Sequence, residues 1–476
     1  MHNRRREEKI AKRKSNKRKK TKEKLTISPK IKKVMNIVYK NDIIAALATP
    51  YGRSALAAIR ISGKGSAELV NRFLKKPLVT GRLEFNVFDA GEFKENLTAV
   101  SFKAPRSYTG EDSVELFAHG NPIICDGIIK ALIGGGARLA ERGEFTERAF
   151  FNGKVDLTAC EALADIIDAQ TVEQLVYGNK RYDGEMDALN RTENMLNKAL
   201  SSAEAVIHYS DELEDGEVDN AVINDIYGSL DDIIKTLKNE KDKFGGGRIV
   251  NEGFKVALIG VPNAGKSTLL NALTESDRAI VTPIAGTTRD TLEGAYVYKN
   301  KKFVVTDTAG ITETTDEVEK IGVSRALRAA EIADAVISVE VNGKKTKKIP
   351  CERVTIEVEN KCDDDKDVGA DYEKAVVNGK LRISAKNNVN ITALKEKILS
   401  LCPKEVGQIC NHRQYDCVCR ALDACEQAKK ESNKQFGLEI VTALLYEAYS
   451  AIEQLFGRSA DERVLDSVFQ RFCVGK

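Results

Sequence analysis

No stretch of this sequence approaches the eighteen or so consecutive apolar residues that a membrane span needs, so a membrane protein is not expected. It also lacks a secretory leader pattern and any Cys-x-x-Cys pair among its ten cysteines, the usual signals for export, a zinc ribbon or a thioredoxin-like site. Five cysteines (Cys402, Cys410, Cys417, Cys419, Cys425) and His412 do fall within 24 residues. Their spacing is not that of metal ligands, and free Cys is a common small apolar residue in helices, so buried or idle thiols are expected. A reducing, cytoplasmic setting follows from the same absences. There is no internal repeat. With 476 residues, 42% hydrophobic and 30% charged, the chain is too long for one core and suits two to four globular domains.

Net positive charge is confined to one place. Residues 1–33 hold sixteen Lys/Arg against Glu7, Glu8 and Glu23, so of a net +3 the head carries +13 and the remainder about −10. Segment 1–35 has almost no apolar residues at helical spacing and is expected to be disordered. Two readings stand for it, a nucleic-acid arm or a solvated extension. From 36 to 154 short apolar strands (43–47, 57–61, 114–117) accompany one helical stretch, 122–133, the pattern of an α+β module. From 155 to 250 Leu, Ile and Ala recur every three or four residues, as in long amphipathic helices. Gly245, Gly246 and Gly247 are expected to break the last of them and mark a boundary. Strands and helices alternate over 251–401, which predicts a parallel-rich α/β sheet. Helical spacing returns over 402–476, notably at 438–455. The two helical stretches are expected to pack together, with the sheet domain inserted between them.

Gly260-Val261-Pro262-Asn263-Ala264-Gly265-Lys266-Ser267 follows a predicted strand, 255–259, and opens a predicted helix at Thr268, the context of a P-loop. Its glycines let backbone N–H groups face phosphate oxygens, the helix start adds a favourable dipole, Lys266 supplies positive charge at the β/γ-phosphates, and the Ser267 hydroxyl suits Mg²⁺. Asp307-Thr308-Ala309-Gly310 ends the apolar strand 303–306, where an aspartate can reach the metal shell and a glycine N–H can sense the γ-phosphate. Thr288, in Gly286-Thr287-Thr288-Arg289-Asp290, can complete the Mg²⁺ shell when that phosphate is present. Asn360-Lys361-Cys362-Asp363 follows the strand 354–358, and Asp363 can accept from a guanine's N1–H and exocyclic amine. Adenine lacks that pair, so it would strand the carboxylate. Ser384-Ala385-Lys386 closes the base pocket. Five such segments in this order, each at a strand end or in a connecting loop, point to GTP with Mg²⁺.

These segments resemble the TrmE/Era branch of GTPases. Ser107-Tyr108-Thr109-Gly110-Glu111-Asp112, Gly143-Glu144-Phe145-Thr146-Glu147-Arg148-Ala149-Phe150 and the final Phe472-Cys473-Val474-Gly475-Lys476 narrow the likeness to the tRNA-modification GTPase family called MnmE or TrmE, over nearly everything from Asp42 to Lys476. The resemblance implies a folate-binding, dimerising N-terminal domain, a discontinuous helical domain and an inserted G domain. It implies work with an FAD-containing, MnmG-like partner, expected as a heterotetramer, to build a carboxymethylaminomethyl-type group on C5 of a tRNA wobble uridine. A tetrahydrofolate derivative, 5-formyl- or 5,10-methylene-, would supply the carbon. Arg60, Glu115, Lys154 and Lys476 would contact the folate, and Cys473 would lie near the one-carbon unit, either chemical or structural. Hydrolysis would be potassium-assisted, the ion held by Asn263 of the P-loop and by Thr282, Ile284 and Thr287 of the nucleotide-facing loop Thr282-Pro283-Ile284-Ala285-Gly286-Thr287-Thr288, with Glu319 orienting the water. Departures from the family pattern are the basic head, Ala118-His119-Gly120-Asn121, Thr312, and a Lys-rich connection, 342–353, too short for an ordinary crossover helix. That helix is expected to be missing or vestigial. The rival reading is a GTPase switch in ribosome or RNA assembly with the head as its arm; a divergent copy without turnover is a third.

Overall fold

The computed structural model describes residues 42–210, 220–275, 292–307, 328–341, 355–432 and 438–476. The basic head and the 342–353 connection, and so the expectations placed on them, lie outside these residues.

The front of the chain is a six-stranded sheet of order β3-β4-β5-β2-β1-β6, formed by β1 (Ile43–Leu47), β2 (Ser54–Ser62), β3 (Glu84–Asp89), β4 (Lys94–Phe102), β5 (Ser113–Gly120) and β6 (Ala137–Leu139). All neighbours are antiparallel except β1 and β6. Helices α1 (Ser66–Asn71) and α2 (Pro122–Gly134) cover one face, where Ile59, Ile61, Val114 and Leu116 pack against Leu69, Ile128 and Leu132. Asn121 caps α2 by accepting from the Ile123 N–H, and Pro122 occupies the first turn, where its missing N–H costs nothing. Helix α3 (Glu144–Phe151) follows the sheet.

Helices α4 (Leu157–Ile167), α5 (Val172–Tyr182), α6 (Asp187–Ser210), α7 (Asn220–Asp242) and α8 (Phe244–Glu252) come next. One core joins α6 and α7 to helices from the far end of the chain: Leu189, Leu196, Leu230, Ile233 and Leu237 meet Val418, Leu422, Leu445 and Ile452. Each fully buried side chain of this kind contributes about 2 kcal/mol relative to exposure. The junction also has a polar clasp, since Arg413 binds both Glu161 carboxylate oxygens, at 2.7 and 2.8 Å.

The three glycines do not break a helix. The chain bends one residue before Phe244, and Gly245, Gly246 and Gly247 lie inside α8. Tertiary contact explains two of them: a Cβ on Gly246 would stand 1.9 Å from the Glu405 carbonyl oxygen, and one on Gly247 2.1 Å from that of Ile409, whereas one on Gly245 would meet nothing within 4 Å. Gly246 and Gly247 let α8 lie directly on the 405–409 backbone.

The second sheet has seven strands in the order β12-β13-β11-β10-β7-β9-β8. They are β7 (Phe254–Gly260), β8 (Leu292–Tyr298), β9 (Lys301–Asp307), β10 (Ala335–Glu340), β11 (Thr355–Glu359), β12 (Val376–Val377) and β13 (Lys380–Arg382). The inner neighbours are parallel, and β8 and β12 run antiparallel at the edges. Helices α9 (Lys266–Glu275), α10 (Tyr372–Ala375) and α11 (Ile391–Ser400) accompany it. The chain closes with α12 (His412–Ser432), α13 (Leu438–Leu455) and α14 (Glu462–Phe469). Among the described residues no helix is long and apolar enough to cross a membrane.

Candidate functional site

Strand β7 is central, paired with β10 and β9, and its Val256, Ala257 and Leu258 are fully buried. It therefore delivers the P-loop to the C-terminal edge of the parallel sheet, where ligands of such sheets bind. The turn into α9 uses Asn263 (φ 61) and Gly265 (φ 86) in the left-handed region; Asn tolerates it and Gly has no Cβ to oppose it. Lys266 folds over the turn, its Nζ donating to the carbonyls of Gly260 at 2.9 Å and Val261 at 3.1 Å. Burial pushes this amine below its ordinary pKa, and the nearby Asp307 charge offsets part of that. A cation satisfied by backbone carbonyls alone has electrostatic reason to exchange them for phosphate oxygens.

Ser267 Oγ donates to Asp307 Oδ2 at 2.6 Å, so the second residue of α9 and the last of β9 meet. Their oxygens suit a hard divalent cation. The base-side segments join the same unit. Asn360, buried after β11, donates from Nδ2 to the Ala264 carbonyl at 2.8 Å and accepts from the Ala385 N–H at 3.0 Å. Asp363 is exposed and accepts the Ser384 hydroxyl at 2.5 Å. Lys361 sits at φ 67, a left-handed conformation costing a non-glycine residue about 1 kcal/mol. It is held there by its neighbour, the Cys362 N–H donating to the Ile383 carbonyl at 3.0 Å. Lys361 and Lys386 are exposed beside Asp363 and Ser384. Thr282, Pro283, Ile284, Ala285, Gly286, Thr287, Thr288, Thr308, Ala309, Gly310 and Glu319 lie outside the described residues.

A second cluster forms on the front sheet. Arg60 on β2 faces Glu115 on β5, Nε donating to Oε1 at 3.0 Å, and its guanidinium lies 4.9 Å from the centre of the Tyr108 ring and 5.7 Å from that of Phe145. The C-terminal tail arrives here from the far end of the chain. Val474 bridges Arg142, and Arg60 Nη1 donates to the Gly475 carbonyl at 3.4 Å. Burial lowers the Lys476 amine's pKa, and the like charge of Arg60 lowers it further. Lys154 stands to one side, donating to the Pro105 carbonyl at 3.0 Å on the loop that leads to Tyr108. Cys473 is exposed. By contrast, burial pushes the thiols of Cys410 and Cys425 up to about 12 and that of Cys402 to about 11, so they stay protonated and unreactive near neutral pH. Sequence reasoning assigned no role to Tyr108, Phe145 or Arg142, although all three lie in or beside the segments that carried the resemblance.

A P-loop on a mainly parallel sheet, an aspartate at the end of β9 and an Asn-Lys-Cys-Asp loop tied to Ser-Ala-Lys define a GTP-binding P-loop protein. The model of the MnmE helical domain matches residues 157–473, and that of the GTP-binding protein TrmE N-terminus matches 43–154. Among similar proteins, each named tRNA modification GTPase MnmE, that of Thermosipho melanesiensis is 32% identical over 450 residues, covering 91% of this chain and 100% of that protein. The one from Pseudothermotoga lettingae is 35% identical over 455 residues, covering 91% and 100%. The one from Aquifex aeolicus is 36% identical over 451 residues, covering 91% and 99%. The chain belongs to the MnmE family of tRNA-modification GTPases.

Proposed function

We propose that this chain hydrolyses GTP in the cytoplasm to drive modification of the wobble uridine of tRNA. The observation that carries the nucleotide half is Asn360: one side chain bonded to both the P-loop and the Ser-Ala-Lys loop makes phosphate cradle and base pocket a single unit. In this reading Asn263, Ala264, Gly265, Lys266, Ser267 and Thr268 hold the phosphates, and Asn360, Lys361, Asp363, Ser384, Ala385 and Lys386 hold the base. Ser267 and Thr288, backed by Asp307, would hold Mg²⁺, and Asn263, Thr282, Ile284 and Thr287 would hold K⁺. Bound there, these ions supply positive charge where negative charge develops on the phosphates. Glu319 orients the attacking water.

The chain divides in the same reading into a front domain, 36–154, a helical domain of 155–250 and 402–476, and a G domain, 251–401. Two cationic side chains, Arg60 and Lys476, stand beside Glu115, donors of the kind that bind carboxylates. A tetrahydrofolate derivative fits: its glutamate carboxylates suit the basic groups, with Lys154 beside them, and its pterin N–H donors suit Glu115. The folate would supply one carbon close to Cys473. An FAD-containing, MnmG-like protein is the proposed partner and a carboxymethylaminomethyl group the proposed product. Exposed Leu56, Leu83, Phe85 and Ile123 on the front domain support a second copy of this chain as a further partner.

GTP turnover in potassium against sodium, for wild type and Glu319→Ala, tests the reading. Turnover is expected to be about tenfold or more faster in potassium and to fall by about a hundredfold in the variant. Equal rates in the two salts would remove the ion's role, and an unchanged variant the glutamate's.

A further inference from the structure

Strand β9 is gripped at both ends. At its C-terminal end Asp307 accepts the Ser267 hydroxyl at 2.6 Å, and that hydroxyl is the one assigned above to the bound nucleotide and its Mg²⁺, so filling the P-loop rearranges the bond. At its N-terminal end the β8–β9 turn, with Lys299 and Asn300 at φ 45 and 65, reaches the start of α5. Asn300 Oδ1 accepts the Val172 N–H at 2.9 Å, and Lys301 Nζ meets Glu173 at 2.7 Å. The first amides of a helix have no partner within it, so Asn300 acts as a cap supplied from the other sheet domain. Gln174, next in line, donates to the Asn251 carbonyl at 2.9 Å, in the last turn of α8 and three residues before β7.

The other end of α5 leads to the tail. Arg181, 2% exposed, donates from Nη1 to Asp165 Oδ2 at 2.8 Å, and the second oxygen of that buried carboxylate accepts Arg471 Nη2 at 2.6 Å. Among the described residues Arg181 Nε and Nη2 have no hydrogen-bond partner, which leaves Asp165 as the acceptor that fixes this guanidinium. Arg471 directly precedes Phe472, which is buried among Phe150, Leu157, Cys160 and Phe469. From there the tail runs to Val474 on Arg142 and to Gly475 under Arg60. The route from P-loop to front site is thus one strand, one helix and an Arg–Asp–Arg relay in which Arg181 and Asp165 are buried and Arg471 is exposed, each joined to the next by a hydrogen bond.

We infer that α5 couples the two sites: the nucleotide bound at the P-loop sets how Phe472–Lys476 seat against Arg60, with Asn300 and Asp165 as positioning residues. The coupling is reciprocal, so a ligand on Arg60 and Lys476 changes nucleotide affinity by the same factor. The partly exposed Lys301–Glu173 pair is weak and the cap at Val172 is one hydrogen bond, which places the effect at the low end of allosteric couplings, about fivefold. The ligand half of the inference rests on the folate reading; the tail half does not, because Cys473 reports seating directly.

The test uses the full chain free of nucleotide or saturated with Mg²⁺ and the non-hydrolysable analogue GMPPNP. Two quantities are measured in each state: the rate of Cys473 alkylation by N-ethylmaleimide, followed by peptide mass spectrometry, and the affinity for 5-formyltetrahydrofolate. Each is expected to differ about fivefold between the empty and the filled P-loop in wild type. The ratio is expected to collapse toward one in Asn300→Ala and in Asp165→Asn, to return in Asn300→Asp, which keeps an acceptor oxygen, and to do so without loss of nucleotide affinity. Equal alkylation rates in wild type, or a ratio that survives both variants, overturn the inference. A nucleotide-dependent alkylation rate with no folate binding in either state removes the folate reading and upholds the coupling. If Asp165→Asn fails to fold because Arg181 is left buried without its carboxylate, Asn300→Ala decides the matter alone.

Discussion

Replacing Asp363 by Asn keeps the shape of the side chain but turns one acceptor oxygen into a donor. Guanine then loses an acceptor for its N1–H and amine, while xanthine, with a carbonyl in place of the amine, gains a partner. GTP affinity is expected to fall about 10- to 100-fold and that for xanthosine triphosphate to rise, as read by nucleotide titration; a variant that still prefers GTP would contradict the assignment. Asp363, Lys266 and Ser267 were legible because their chemistry depends on local spacing. The job done by Asn360 was not. Its partners, Ala264 and Ala385, are 96 and 25 residues away, and only the parallel order of β7, β11 and β13 brings them within reach. Arg60 and Lys476 were likewise named through resemblance, since nothing in either one's own neighbourhood in sequence says that the chain's last residues return to β2.

At the scale of elements, helix α13 and strand β1 were readable to the residue, at 438–455 and 43–47, because period and burial agree there. Helix α8 was misread because three glycines argue against a helix when propensity is the one guide, whereas here a close backbone neighbour demands two of them, Gly246 and Gly247. Gly246→Ala, helpful to an isolated helix, is therefore expected to destabilise the protein. The added carbon would meet the Glu405 carbonyl oxygen at 1.9 Å, and moving that backbone costs about 3 kcal/mol. A urea titration that shows the variant equal to or more stable than wild type would refute the contact. Strands β3 and β4 were passed over because their apolar residues alternate with Glu, Asn, Asp and Lys (Glu84, Asn86, Asp89, Lys94, Glu95, Asn96), so they read as polar loop to an eye seeking continuous apolar runs.

Across the whole molecule, the front sheet is pinned to α3 by an ionic cluster that sets a pH limit. Arg148, fully buried, donates to Asp42 at 2.8 Å and to Glu144 at 2.9 Å, and Arg138 reaches the same two carboxylates at 2.8 and 2.7 Å. Burial alone would raise both carboxyl pKa values; the hydrogen bonds from Arg138 and Arg148 outweigh it, and both end below their ordinary values. The stability they contribute is fully present above the unfolded-state values near about 4 and is lost as pH falls through the lower folded-state ones. The urea midpoint is expected to drop steeply below about pH 4, and less steeply in Arg148→Met, which removes the part of the linkage that Arg138 does not supply. An identical acid slope in both would discount the cluster.

The helical core described above is assembled from two lengths of chain separated by the entire G domain, and this has a consequence during synthesis. Once α6 and α7 have left the ribosome, their apolar faces wait for α12 and α13 while roughly 170 more residues are translated, on the order of 10–30 s at ordinary elongation rates. For that interval the nascent chain presents a sticky half-core to every other unfinished polypeptide nearby, which makes it a natural client for a chaperone that shields exposed apolar surface until the last helices emerge.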